Sequence, residues 1–166
     1  MAIGESFLME LEQEAKATRA MLERVPADKF TWKPHEKSMT LSNLSAHVAE
    51  VPVWIPYTLD LNEIDFAKFD YKLYEPKDTA DLLRYFDENI AKAVETLKKT
   101  PDEVFMQEWT MRNGETVYFT LPKIVVLRSY CFNHLYHHRG QLSVYLRLLN
   151  VSLPQVYGPT ADEGNM

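Results

Sequence analysis

Two histidines lie four residues apart on the apolar seam of the last helical pattern in the chain. This seam repeats at alternating intervals of four and three residues and comprises Leu127, Cys131, His134, His138, Gln141, Tyr145 and Leu148. Side chains four residues apart project from one face of a helix about one turn apart. A helix presents two imidazoles to a single metal ion with this spacing. His134 and His138 are therefore candidate metal ligands, and His137, beside the seam, is the spare candidate.

A third histidine interrupts an earlier apolar stripe. His47 falls between Leu44 and Val51, on the apolar side of its helical pattern. If the two helices pack together, His47 faces the later pair and completes a set of three imidazoles. Such a set leaves a coordination position open, as catalytic metal sites do. Zinc, nickel, iron and copper all accept imidazole ligands, so the expected cofactor is a divalent metal ion of this group.

These residues also have simpler structural interpretations. A lone histidine near an apolar stripe is usually a hydrogen-bonded boundary residue, whereas two buried imidazoles without partners would be costly. Glu50, one turn after His47, is a candidate base, although a solvated carboxylate is the alternative. Cys131 is expected to be a small buried hydrophobic residue, and Arg139 is expected to pair at the surface.

Four amphipathic helical patterns position these residues. The first ends before Pro26, and the second has Thr40 or Ser38 as its candidate N-cap. The second covers Leu41–Ile55, the third runs from Asp78 or Thr79 to just before Pro101, and the fourth extends from about Pro122 to about Leu149. Pro52 and Pro56 lack an amide hydrogen, so the second helix is expected to kink or loosen near them.

A hairpin signal separates the third and fourth patterns. Asn113-Gly114 is flanked by β-branched and aromatic residues, which predicts at most a two-stranded ribbon. The segment Asn62–Lys77 is expected to be an irregular connection, and the tail Pro154–Met166 to be non-helical. The predicted fold class is all-α: an antiparallel four-helix bundle over one domain, residues 1–166, with a possible short β-hairpin before the last helix.

Composition excludes several classes of function. The 18 basic and 24 acidic residues give a net charge of −6, which does not favour binding to nucleic acid or to an anionic membrane. Uncharged stretches are too short to span a bilayer, and the acidic N-terminal segment does not resemble a secretory signal. The single cysteine excludes an intramolecular disulfide. A cytoplasmic globular protein is expected.

The motifs of the chain resemble those of the DinB/YfiT-like superfamily. Asn133–Leu142, with the sequence NHLYHHRGQL, resembles its fourth-helix signature, and Trp32–His47 is similar to the segment that leads to its first histidine. Pro154–Glu163 is similar to the C-terminal segment of one subgroup. The resemblance covers essentially the whole chain and implies a four-helix bundle that holds a divalent metal. It implies the ligands His47, His134 and His138, whereas His137 is not usually counted as one.

Characterised members of this superfamily include thiol S-transferases, so the resemblance implies a metal-dependent transferase that acts with a low-molecular-weight thiol on an electrophilic substrate. Trp54, Tyr57 and Tyr145 are expected to form the pocket for an apolar substrate. Three alternatives remain: a metal-dependent hydrolase, a stress-response protein that binds a metal or ligand without turnover, and a purely structural bundle. A homodimer is expected, paired through the aromatic residues of Asp65–Tyr74.

Overall fold

Six α-helices form the framework of the computed structural model, which describes residues 2–164. They are α1 (Ile3–Leu22), α2 (Leu41–Glu50), α3 (Trp54–Asp60), α4 (Thr79–Lys99), α5 (Lys123–Val126) and α6 (His134–Leu148). Side chains cap two of the N-termini where the sequence predicts it. The Thr40 hydroxyl accepts a hydrogen bond from the amide of Asn43, and the Asp78 carboxylate accepts one from the amide of Asp81.

The second predicted helix is interrupted at its prolines, as expected. Helix α2 ends at Glu50, a 3₁₀ turn covers Val51–Val53, and α3 continues from Trp54 with Pro56 inside it. Proline cannot donate the backbone hydrogen bond that would continue the α2 ladder. The interruption lies immediately after the last turn of α2, which carries His47.

The all-α fold class is wrong, because the chain also contains a three-stranded mixed sheet. Strands β2 (Glu108–Asn113) and β3 (Thr116–Pro122) form the predicted antiparallel hairpin, with Gly114 at a positive φ of 58° in the turn. Strand β1 (Glu63–Asp65) pairs with β2 in parallel. It lies inside the segment predicted to be irregular, and three residues are too short to carry a period-two pattern.

The long fourth helix is also irregular. Leu127–Asn133 form a π-helical segment between α5 and α6. Because a π-helix bonds each amide to the carbonyl five residues earlier, it holds more residues per turn and moves the buried face along the sequence. The buried positions of α6 are Leu135, Arg139, Leu142 and Leu146. His134 and His138 consequently lie half-buried at the edge of the core, not at its centre as the seam predicted.

One other expectation for the surface is wrong, and a second is weakened. Arg139 is 3% exposed and pairs with Glu14 of α1, with Nη1 lying 2.7 Å from Oε2. Several aromatic residues of the segment 65–74 pack on the protein itself: Phe66 and Phe69 contact the buried Trp109 cluster, and Tyr74 stacks on Tyr85. Tyr71 of the same segment is 43% exposed, and the predicted homodimer stays a prediction.

The tail from Pro154 to Gly164 is non-helical, as predicted, and Asn165 and Met166 lie outside the described residues. Within residues 2–164, no helix combines the length and the apolar composition needed to cross a membrane. Cys131 is buried in the cluster that includes Phe7, Leu11 and Leu127, which confirms that it is a core residue.

Candidate metal centre

Three histidines from two helices meet at one point between α2 and α6. His47 lies in the last turn of α2, His134 is the first residue of α6, and His138 follows one turn later. One ring nitrogen of each lies within 4.8 Å of those of the other two, and all three residues are half-buried. The Nε2 atoms of His47 and His134 are 3.2 Å apart. The structure thus brings together the three residues that the sequence singled out.

An oxygen atom faces the other nitrogen of each ring. The Nδ1 of His134 lies 3.2 Å from the carbonyl oxygen of Tyr130, and that of His138 lies 2.8 Å from Oε1 of Gln141. The Nδ1 of His47 lies 3.7 Å from Oε2 of Glu50. Because a carbonyl oxygen can only accept a hydrogen bond, Nδ1 of His134 and of His138 carries the proton. The Nε2 atoms are therefore left with free lone pairs.

Burial favours the neutral form of the His134 and His138 rings. Burial lowers the pKa of His138 to about 4. It also lowers the pKa of His134, and the nearby His47 ring acts on His134 in the same direction. A neutral imidazole with an available lone pair is the form that binds a metal ion. Nε2 of His134 lies 3.2 Å from Nε2 of His47, so its lone pair either accepts a hydrogen bond from His47 or shares a cation with it.

The distance between two of the ligand nitrogens suits a metal ion. Zinc–nitrogen bonds of about 2.0–2.1 Å in a tetrahedral site place neighbouring ligand nitrogens roughly 3.3 Å apart. The His47–His134 separation of 3.2 Å matches this spacing. Oxygen atoms at Nδ1 are also the usual outer partners of metal-binding histidines, because they hold the ring in place and raise its basicity. The donor set therefore fits a divalent ion with at least one position left for another ligand.

Comparison with known proteins places the chain in a family. The sequence profile of the DinB family matches residues 2–165. The chain belongs to the DinB family. Solved DinB-like proteins from Bacillus cereus ATCC 10987 and Bacillus subtilis are similar to it in structure, with TM-scores of 0.69 and 0.71. A search of curated proteins found no match.

The two structural relatives share the fold with this DinB-family chain at low sequence identity. The Bacillus cereus protein is 22% identical, and the match covers 92% of this chain and 97% of that one. The Bacillus subtilis protein is 19% identical, and the match covers 91% of this chain and 96% of that one. At this level of identity, the likeness supports the fold alone.

The other predicted site residues of this DinB-family protein lie in different places. His137 is exposed and lines an open pocket of about 270 Å³ beside His134. Tyr145 lines a second open pocket, of about 400 Å³, beside His138. Trp54 and Tyr57 line a third and larger cavity, of which Glu50 also forms part. The three predicted pocket aromatics therefore do not share one cavity.

The sequence did not predict two polar contacts of the site, one made by Gln141 and one made by Tyr71. Gln141 appeared there only as a seam position, although its spacing of three residues from His138 is a signal that it can contact that ring. Tyr71 donates a hydrogen bond from its hydroxyl to Oε2 of Glu50, with an oxygen–oxygen distance of 2.7 Å. This contact joins residues 21 apart in sequence, and no local pattern indicates it.

Proposed function

We propose that this DinB-family protein is a metal-dependent transferase that joins a low-molecular-weight thiol to an electrophilic carbon. The observation that carries the proposal is the convergence of His47, His134 and His138 with an oxygen atom at each Nδ1. Zinc, nickel and iron all suit this set of nitrogen ligands. When bound, such an ion lowers the pKa of a thiol that coordinates it, so that thiolate is present near neutral pH.

The residues of the chain hold the ligands ready for this role. The Tyr130 carbonyl and the Gln141 amide oxygen fix the rings of His134 and His138, and the Glu50 carboxylate lies beside Nδ1 of His47. Because the rings of His134 and His138 are already oriented and their lowered pKa values favour the neutral form, metal binding requires little rearrangement of these rings and little proton release from them. Glu50 thus serves as a positioning residue for His47 in this proposal, in place of the base considered from the sequence.

The reacting sulfur has to come from a substrate. The single cysteine, Cys131, is fully buried, and this burial raises the pKa of its thiol, so it does not supply a thiolate. The pockets beside His134 and His138 open at the two ends of the histidine pair and offer room for a thiol and an electrophile. The thiolate sulfur forms a bond to the electrophilic carbon, the leaving group departs with its electron pair, and the thiol proton passes to solvent.

Metal content tests the first half of the proposal. Protein purified without a histidine tag is expected to hold about one equivalent of a divalent metal, measured by plasma mass spectrometry across zinc, nickel and iron. The double variant His134→Ala/His138→Ala is expected to lose it, because one imidazole cannot hold the ion. His35→Ala, in an exposed loop, is the matched control and is expected to keep it. A full metal equivalent in the double variant would overturn the site.

Turnover tests the second half. Cysteine and glutathione are offered with chlorodinitrobenzene to the metal-loaded protein, and release of chloride is measured. Turnover that disappears in His47→Ala and persists in His35→Ala supports the transferase. Metal binding without turnover of any thiol and electrophile would leave a metal-binding protein and overturn the enzymatic proposal. Release of chloride without a thiol would indicate hydrolysis.

A further inference from the structure

A large cavity is lined by Glu50, the residue whose carboxylate lies beside His47. It has a volume of about 490 Å³, and α3, α4 and the segment 69–72 form its walls. None of the three metal-site histidines lines it among the described residues. A volume of this size suits a small organic molecule. The cavity is therefore separate from the three histidines, and Glu50 both lines it and contacts His47.

Five aromatic residues line the cavity. Trp54 and Tyr57 meet at 88°, and Tyr57 and Phe69 meet at 83°, so the rings present their faces in different directions around the space. Tyr71 and Tyr85 also line the cavity. The face of an aromatic ring carries partial negative charge, and several faces around one space attract an organic cation.

The buried charge in the cavity wall is negative, as is the partial charge on the faces of the aromatic rings. Glu50 is 8% exposed and directs its carboxylate to the hydroxyl of Tyr71. The basic residues of the lining are exposed, and two of them already have acidic partners: Lys72 lies 3.2 Å from Asp70, and Lys99 lies 3.4 Å from Asp60. The interior of the cavity therefore combines one buried carboxylate with aromatic faces, whereas the positive charges stay at its rim.

We propose that this cavity binds a small organic ammonium ion with an apolar or aromatic body. The ammonium group faces Glu50, whose carboxylate lies 3.7 Å from Nδ1 of His47 and pairs with no lysine or arginine among the described residues. The body of the ligand packs against Trp54, Tyr57 and Phe69. A buried carboxylate binds a positively charged ligand more tightly than a neutral ligand of the same shape, because only the charged ligand forms an ion pair with it. The proposal does not depend on the metal, because the ligand contacts no histidine.

Calorimetric titration of the full-length protein with phenylethylammonium tests the charge, with phenylethanol as the neutral ligand of similar shape. The ammonium ion is expected to bind roughly ten-fold more tightly, the difference of one charge-assisted contact. Equal affinity for the two ligands, or no binding of the ammonium ion, would overturn the proposal.

Variants test the position. Glu50→Gln is expected to reduce the affinity for the ammonium ion to that of the alcohol, whereas Glu88→Gln, on the outer side of α4, is the matched control and keeps it. Trp54→Leu is expected to weaken the binding of both phenylethylammonium and phenylethanol. The titration is repeated after treatment with a chelator, and unchanged affinity is expected there. Binding that is unaffected by Glu50→Gln, or that requires the metal, would place the ligand elsewhere and contradict the inference.

Discussion

The orientation of the histidine rings in this site depends on the hydrogen-bond acceptors at Nδ1 as well as on the spacing of the histidines in the sequence. His138 donates its Nδ1 proton to Gln141, and His134 donates its own to a backbone carbonyl. Only the first of these acceptors belongs to a side chain and can be changed without moving the helix. Gln141 is exposed, so its role in fixing the ring can be separated from any role in the core.

Removing that acceptor is expected to weaken metal binding. In Gln141→Leu the His138 ring loses its partner at Nδ1, and affinity for zinc is expected to fall by about 10- to 100-fold, as is usual for outer partners of metal ligands. Competition with a fluorescent zinc chelator measures the change. Gln141→Glu keeps an acceptor oxygen at the same place and is expected to restore the affinity. Equal zinc affinity in the leucine and wild-type proteins would show that Gln141 does not support the site.

The three histidines could be predicted from the sequence because they interrupt a periodic apolar pattern. The residues that surround them could not be predicted in this way. Histidines at positions where an apolar stripe expects leucine indicate His47, His134 and His138 without any structure. Tyr71 reaches Glu50 only because the segment after β1 folds back over the end of α2. A contact of that kind depends on tertiary structure and leaves no local signal.

At the scale of the elements, regular periodicity predicted the helices and missed their irregularities. The stripes located α1, α2 and α4, and the prolines located the break after α2. The π-helical segment Leu127–Asn133 was not predicted, because a constant spacing assumes a constant number of residues per turn. Strand β1 was missed because its pairing with β2 joins residues about 47 apart in sequence, which no local pattern records.

An ion pair ties the π-helical segment to α1, and it gives the fold a pH dependence. Arg128 donates hydrogen bonds of 2.6 and 2.9 Å to the carboxylate of Glu10, which also accepts one from the Tyr136 hydroxyl. The Arg128 guanidinium holds the pKa of Glu10 below its ordinary value of 4.5. The folded state therefore favours the carboxylate, and this stabilisation is present above pH 4.5 and is lost as the pH falls through the lowered pKa.

Glu10→Gln is expected to lower the free energy of unfolding by about 1 kcal/mol at neutral pH, the upper range for a partly exposed pair. The difference from the wild type is expected to shrink as the pH falls below 4.5, because the wild-type carboxylate is then protonated as well. Thermal unfolding at several pH values measures both. Glu12→Gln, at an exposed position of the same helix, is the control, and a constant difference for Glu10→Gln at all pH values would contradict this account.

At the scale of the whole molecule, one buried arginine connects both ends of the chain. Arg139 of α6 pairs with Glu14 of α1 and donates a hydrogen bond to the hydroxyl of Thr18 at 3.1 Å. It also donates one to the hydroxyl of Tyr157 in the C-terminal tail. Tyr157 in turn donates to Glu14 at 2.9 Å, which closes the network. The tail is held further out by Arg147, which pairs with Asp162 at an exposed position.

Removing one partner of the buried Arg139–Glu14 pair is expected to lower the free energy of unfolding far more than removing both partners. Arg139→Leu leaves the Glu14 carboxylate buried without a cation, which typically costs about 3–5 kcal/mol, whereas Arg139→Leu/Glu14→Leu removes both charges and is expected to recover most of the loss. Arg147→Leu, in the exposed pair, is expected to cost less than about 1 kcal/mol. Urea unfolding measures all three variants, after chelation because Arg139 adjoins His138. An Arg139→Leu protein as stable as Arg147→Leu would show that the buried pair does not hold α6 against α1.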